Sequence, residues 1–303
     1  MVKAKVNDFH TPVLLKEVVD LLQVKKGKQY IDATIGGGGH TGVILSLGGR
    51  VLGIDADQDA VDHVSEHLAD EIEKRELLLK KGNFRDLREI ARSKNFDLVS
   101  GILFDLGFSS HQIDAPERGF SFLRDGPLDM RMDKQSSLTA EKLVNLLGKG
   151  ELYELFNKLG EEHRAGAISN SIIRTRRVKA IQTTAQLSDA VASAYGLTGE
   201  ISDFVKNKIN QKVFQALRIA VNSELENLEI ALPQALELLG EKGRIAVISF
   251  HSLEDRIVKR TFKEFADKGL GEIITDKPVE ATKEEREQNS RAGSAKLRVF
   301  KKN

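Results

Sequence analysis

The stretch from Tyr30 to Asp55 constrains the fold of this chain more than any other. Tyr30-Ile31-Asp32-Ala33-Thr34 reads as a short apolar strand and runs directly into Gly36-Gly37-Gly38-Gly39. A helical run from about Thr41 to Leu47 follows, and then a second strand, Arg50-Val51-Leu52-Gly53-Ile54, that ends on Asp55. Strand, glycine turn, helix, strand is the alternation that builds a parallel sheet covered by helices on both faces. It is sustained on either side. Pro12 to Val24 carries apolar residues at helical spacing, Gln58 to Glu76 reads as a charged helix, and Leu77-Leu78-Leu79 reads as a third strand. A polar helix over Leu87 to Ser93 then leads to a fourth strand, Leu98 to Phe104.

Beyond Gly107 the pattern changes. Residues 108–133 are dense in Gly, Pro, Asp and Arg without a sustained period, which predicts an ordered loop, and residues 137–208 give only helical signals. A long helix is expected over Val213 to Leu239, a strand over Arg244 to Ile248, a helix over Leu253 to Phe265, and two short tail strands, Glu272 to Thr275 and Lys296 to Phe300. The expected architecture is an α/β parallel-sheet domain, Rossmann-like, interrupted by an all-helical insertion. It divides into residues 1–110 as the first part of the sheet domain, 111–210 as the insertion, and 211–303 as the second part. A hydrophobic share of 40% in 303 residues supplies a core for such a two-domain chain. Lys+Arg 46 against Asp+Glu 45 excludes a polycation, though not a local basic groove. The absence of Cys excludes disulfides, Cys-ligated metals and thiol chemistry, and fits a cytoplasmic setting. Neither a signal peptide nor an apolar run of membrane-spanning length is visible, so a soluble, cytoplasmic protein is expected.

Gly37-x-Gly39-x-x-Gly42 follows a strand and opens a helix, the setting a nucleotide-binding turn requires. Glycines admit a ligand close to the backbone, and the helix start offers N–H groups to an anion. Asp55, at the end of the next strand, is placed to accept hydrogen bonds from ribose hydroxyls. A nicotinamide dinucleotide and S-adenosylmethionine (SAM) compete for such a site. Asp32, four residues ahead of the first glycine, favours SAM, because an acid there suits its ammonium group. Phe84, after the third strand and beside Asn83, is placed either to cover an adenine or to fill the core.

The fourth strand ends in Leu103-Phe104-Asp105-Leu106-Gly107-Phe108. Ligands of open α/β sheets sit beyond the carboxyl ends of the strands, so Asp105 faces the reaction zone. Methyl transfer to an exocyclic amine needs a hydrogen-bond acceptor that turns the nitrogen lone pair toward the methyl group, and a carboxylate serves. Asp105 is the candidate catalytic residue. After the fifth strand, Ser252 and Asp255 have capping-box spacing, and His251 reads as structural or substrate-positioning. No spacing of His, Asp or Glu suggests a metal site. Three basic clusters are candidates for phosphate contact: Arg174 to Lys179, then Arg256 with Lys259, Arg260 and Lys263, and the tail from Lys296 to Lys302.

Taken together, several long motifs resemble the RsmH (MraW) family of bacterial methyltransferases. They are Phe9-His10-Thr11-Pro12-Val13-Leu14, the turn from Asp32 to His40, and Asp105-Leu106-Gly107. Arg118-Gly119-Phe120-Ser121-Phe122, Asp125-Gly126-Pro127-Leu128-Asp129-Met130-Arg131-Met132 and Phe214-Gln215-Ala216-Leu217-Arg218-Ile219 continue the likeness. Val221-Asn222-Ser223-Glu224-Leu225 and Ser249-Phe250-His251-Ser252-Leu253-Glu254-Asp255-Arg256 complete it. The likeness extends from about residue 9 to Asn289-Ser290-Arg291. It departs at Lys208 to Val213, where the family has a His-Pro-Ala-Thr-Arg-like run, and at His163 to Ser169, where the family is more basic.

The resemblance implies a SAM-dependent enzyme that methylates cytosine N4 in the decoding region of small-subunit (16S) ribosomal RNA. It further implies SAM contacts at Gly38, Gly39, His40, Asp55, Phe84, Asp105 and Gln112. The implied partner is ribosomal RNA or the small ribosomal subunit, with no DNA and no membrane, and the chain is expected as a monomer or homodimer. A DNA amino-methyltransferase, a nicotinamide-dependent oxidoreductase and a non-catalytic RNA-binding assembly factor are the rival readings. The Arg118-to-Met132 loop is expected at the rim of the base pocket.

Overall fold

The structure, a computed structural model, describes residues 12–108 and 110–303. The Phe9-His10-Thr11 part of the first motif, and Ser109, lie outside the described residues. The chain divides into two compact units, residues 1–109 with 225–303, and residues 110–224.

The first unit is built on one sheet. Its strands are β1 (Gln29–Asp32), β2 (Arg50–Asp55), β3 (Leu77–Lys81), β4 (Val99–Asp105), β5 (Leu239–Ser249), β6 (Gly271–Ile273), β7 (Val279–Glu280) and β8 (Lys296–Lys302). They lie in the order β3-β2-β1-β4-β5-β8-β6, with β7 also on β8. The β1–β2, β2–β3, β1–β4 and β4–β5 pairs are parallel, whereas β8 runs antiparallel to β5, β6 and β7. This is the mostly parallel α/β fold expected.

Central parallel strands are covered on both faces, which explains the unbroken apolar runs of β2 and β4. Neighbouring residues on each strand accordingly enter different cores. Ile31, Leu52, Ile102, Phe104 and Ile245 join a cluster with Leu228, Leu232, Val258 and Phe262 of the helices Glu224–Leu238 and Ser252–Asp267. Tyr30, Val51, Leu103, Ala246 and Ile248 join another with Val18, Leu22 and Ile44 of the helices Leu15–Leu22 and Gly39–Ser46. From β1 the chain steps outward through β2 to β3, then crosses back to β4 on the other flank of β1. The carboxyl ends of β1 and β4 therefore diverge at a topological switch point, where this architecture opens a ligand crevice.

The second unit is helical. The helices Ala140–Leu146, Lys149–Gly160, Ala165–Val178, Thr184–Ala194 and Asp203–Asn222 enclose a core that includes Val144, Leu152, Phe156, Ile168, Leu187, Val213 and Leu217. Two expectations need correction. The 210/211 boundary falls inside the helix Asp203–Asn222, and the unit instead extends to Glu224. The single long helix over Val213 to Leu239 is two, Asp203–Asn222 and Glu224–Leu238, parted by Ser223 in the left-handed region (φ 50°).

The loop expected over residues 108–133 is held by buried polar bonds. Arg118 is buried, and its guanidinium donates to the carbonyls of Arg131 (3.0 Å) and Met132 (3.2 Å). Asn222 donates to the Met130 carbonyl and accepts from the Met132 N–H, each at 2.8 Å. Arg118 is thus a scaffold of the loop rather than an exposed rim residue.

Candidate active site

The site grows from the ends of β1, β2 and β4. Gly38, in the left-handed region (φ 77°), caps the helix Gly39–Ser46, a conformation costly for any side chain with a Cβ. Gly39 has no room for a side chain, since a Cβ would lie 2.9 Å from the Pro12 ring. Gly39 thus lets Pro12 lie against the helix start, whose first N–H groups lack acceptors within the helix. Gly36 donates its N–H to Asp55 Oδ2 at 2.9 Å, and a Cβ there would meet the Thr34 carbonyl oxygen at 3.9 Å.

Asp55 ends β2 and is half-buried. Its Oδ1 accepts from the Asp57 N–H at 2.9 Å, so both oxygens are oriented by backbone donors while each keeps a lone pair. Loss of solvent pushes this carboxyl up to about 6, against the pull of those N–H groups. Phe84 opens a 3₁₀ turn after β3, packs edge-on against Phe104 (centroids 5.8 Å apart) and remains part-exposed. Asn83 caps that turn by accepting the Arg85 N–H at 2.8 Å, so its side chain is structural.

Asp32 departs from its expected role. It is 1% exposed, and its carboxylate accepts from Thr41 Oγ1 (2.7 Å) and the Thr34 N–H (3.2 Å). Burial pushes it up to about 6. It ties β1 to the glycine-turn helix and is not open to a cofactor ammonium.

Asp105 ends β4. Its N–H donates to Thr34 Oγ1 at 2.6 Å, and its Oδ1 accepts from the Gly107 N–H at 3.3 Å. Its Oδ2 lies 3.6 Å from Nδ1 of His40. Burial, helped by the nearby Glu254 charge and opposed by the Gly107 N–H and by Arg291, lifts its carboxyl to about 7. His40 is 5% exposed, and its Nε2 is 3.0 Å from the Val13 carbonyl. Burial lowers its basicity more than Asp32, the Val13 carbonyl and Glu285 raise it. Its side chain is therefore held within the protein, while its backbone amide lies in the first helical turn.

Around this pair the sequence reading missed several supports. Thr34 and Thr41 brace Asp105 and Asp32. Glu285 accepts the Leu14 N–H at 2.7 Å and pins the segment that His40 contacts. At the end of β5, His251 rather than Ser252 caps the helix Ser252–Asp267: its Nδ1 accepts the Glu254 N–H at 3.4 Å. Glu254 answers by accepting the His251 N–H at 3.3 Å and the Phe250 N–H at 2.8 Å. The spacing His251-x-x-Glu254 carried that signal, since a Glu three residues after a capping residue closes the box. Asp255 instead makes a two-bond ion pair with Arg298 (2.6 and 3.1 Å). The structure thus assembles Gly38, Gly39, His40, Asp55, Phe84 and Asp105 within the first unit. Gln112 lies on the short helix Ser110–Asp114 of the second unit, where it is buried.

These residues fit SAM. The bare backbone at Gly36, the helix start at Gly39, the oriented oxygens of Asp55 and the part-exposed Phe84 provide, in turn, close approach, carboxylate donors, ribose acceptors and an apolar face.

The MraW methylase family model matches residues 7–303. The chain is 43% identical over 295 residues to the ribosomal RNA small subunit methyltransferase H of Coprothermobacter proteolyticus, covering 97% of this chain and 96% of that protein. Among solved structures, an rRNA methylase from Streptococcus thermophilus aligns at 10% identity and TM-score 0.45, over 96% of this chain and 97% of that one. A protein of Streptococcus mutans assigned as a methyltransferase, in complex with SAH, aligns at 13% identity and TM-score 0.45, over 97% and 99%. The two structural alignments are too distant to bear on the site, whereas the family match and the close relative span the whole chain. This chain belongs to the MraW methylase family, and SAM is its methyl donor.

Proposed function

We propose that this protein transfers the methyl group of SAM to the exocyclic N4 of a cytidine in the decoding region of small-subunit ribosomal RNA, in the cytoplasm. The observation that carries the reading is Asp105: an oriented carboxyl at the end of β4, beside the switch point, with Oδ1 held by the Gly107 N–H. The relative's name supports ribosomal RNA as the substrate, and the motif resemblance supports cytosine N4 and the decoding region.

Bound, SAM supplies an electrophilic methyl on a sulfonium. The N–H groups at Gly39 and His40 would hold its carboxylate, Asp55 its ribose and Phe84 its adenine, and Gln112 is assigned to it by resemblance. Asp105 accepts a hydrogen bond from the amino group and turns the nitrogen lone pair, otherwise conjugated into the ring, toward the methyl carbon. A cytosine stacked in RNA must leave its stack to reach this carboxyl.

The second unit offers the RNA contact. Arg174, Arg177 and Lys179 are exposed around Val178, itself 90% exposed. The C-terminal cluster is less available, because Arg298 pairs with Asp255, Lys301 with Glu272 (2.7 Å), and Lys302 with the Leu236 and Leu239 carbonyls. No helix among the described residues is long and apolar enough to cross a membrane. The test offers methyl-labelled SAM with small ribosomal subunits lacking the modification, with free small-subunit RNA, and with duplex DNA. Label in a ribosomal substrate and none in DNA is expected. Label in DNA, or none in either RNA form, overturns the reading.

A further inference from the structure

The role of His40 follows from both of its ring nitrogens. The Val13 carbonyl can only accept, so Nε2 carries the proton that bridges the 3.0 Å between them. Burial keeps the ring neutral, which leaves Nδ1 with a bare lone pair. That lone pair faces Asp105 Oδ2 at 3.6 Å in a site where both side chains are more than nine-tenths buried. Two acceptors that face one another in a site this buried repel unless a proton lies between them. The groups around the pair do not remove that proton. Asp32 and Glu285 face His40, Glu254 and Arg291 face Asp105, and burial outweighs them in setting both charges.

We propose that His40 and Asp105 form a two-group proton acceptor, in which the proton released by the methylated amine enters at Asp105 while the proton already on Asp105 passes to Nδ1 of His40. This rests on the amino-nitrogen reading above. The amino nitrogen gives its lone pair to the new N–C bond, the C–S electron pair remains on sulfur, and the nitrogen is left with one proton too many. That proton moves to Oδ1 of Asp105, and its bonding pair returns to nitrogen. The proton on Oδ2 moves to Nδ1, so Asp105 ends as it began and His40 ends as the imidazolium. The imidazolium is discharged to solvent when the site opens to release product. His40 acts through Asp105 and is a positioning and relay residue rather than a group that touches the substrate.

Two measurements test this. In the protein without SAM or RNA, nitrogen NMR of ring-labelled histidine, with His40 assigned by its loss in His40→Gln, reads the state of each ring nitrogen. A protonated Nε2 and an Nδ1 resonance that moves on Asp105→Asn are expected. An Nδ1 resonance unmoved by that substitution overturns the pair, whatever the enzyme methylates. In single-turnover methyl transfer, His40→Gln keeps a donor toward Val13 but cannot take a proton, so Asp105 must then be ionised beforehand. The variant is expected to be about fourfold slow at pH 6.5, to fall to on the order of a hundredfold slow by pH 5 and to recover toward wild type by pH 9, with SAM affinity within about threefold. A rate deficit parallel to wild type at every pH means a structural role and overturns the relay. Should both proteins methylate another atom, the functional reading fails, and the ring-nitrogen result still decides the pair.

Discussion

Asp105 is held where its charge depends on its neighbours, and this has a thermodynamic consequence. Its carboxyl, raised to about 7 by burial, keeps its proton in the folded chain between about pH 4 and pH 7, whereas the unfolded chain has lost it. The folded state binds more protons across that window, so this group's contribution to stability falls as pH rises and is flat above it. Asp105→Asn, which removes the titration, is expected to unfold at a higher temperature than wild type at pH 8 by the equivalent of on the order of 1–3 kcal/mol, and to match it near pH 4. Thermal unfolding of the SAM-free proteins at the two pH values measures this, and an advantage that does not depend on pH contradicts it. Thr41→Val leaves a buried Asp32 oxygen without its hydroxyl donor and is expected to cost roughly 1–3 kcal/mol in denaturant unfolding. Of these residues, Asp55 and Asp105 were legible in sequence because an acid that ends an apolar strand declares its position. The Asp32–Thr41 and His40–Asp105 contacts were not, because rotamers, not spacing, decide which way a buried side chain points.

Strand, turn and helix could be read wherever one local signal settled the matter. β1, β2 and β4 follow from apolar runs bounded by glycine or an acid, whereas the helix Thr184–Ala194 opens on a capping box that the helical signals over residues 137–208 did not single out. There Thr183 accepts the Gln186 N–H at 3.3 Å and Gln186 accepts the Gln182 N–H at 2.7 Å. Thr183→Ala is expected to lower stability by about 1 kcal/mol, read in urea unfolding, without changing SAM affinity. Gly39→Ala drives a methyl into the Pro12 ring and is expected to weaken SAM binding at least tenfold by calorimetry, with little loss of secondary structure. The break at Ser223 could not be read, since Val221, Leu225 and Leu228 carry the helical spacing straight through it and the left-handed residue is not a glycine. The cap on the helix Ser252–Asp267 was misplaced by one residue because Ser is the commoner capping side chain, whereas His251 has the geometry.

For the molecule as a whole, a sheet unit carries the glycine turn and Asp105, while a helical unit of residues 110–224 is inserted between its two parts. The alternation of strands and helices made that division legible, and the change of pattern beyond Gly107 marked where it begins. The pairing of the C-terminal basic tail was not legible, because Asp255 and Glu272, which pair with Arg298 and Lys301, lie 43 and 29 residues away along the chain. The cluster at Arg174, Arg177 and Lys179 remains exposed. Replacing all three with Glu is expected to weaken RNA binding at least tenfold and to flatten its salt dependence, leaving SAM affinity unchanged. An unaltered salt slope would assign RNA contact elsewhere.

The central claim concerns one atom, and nucleoside mass spectrometry of small-subunit RNA methylated in vitro with deuterated SAM reads that atom directly. The heavy methyl is expected in N4-methylcytidine, with none after Asp105→Ala. Heavy methyl on carbon 5, on a ribose hydroxyl or on another base, or undiminished transfer by Asp105→Ala, contradicts it.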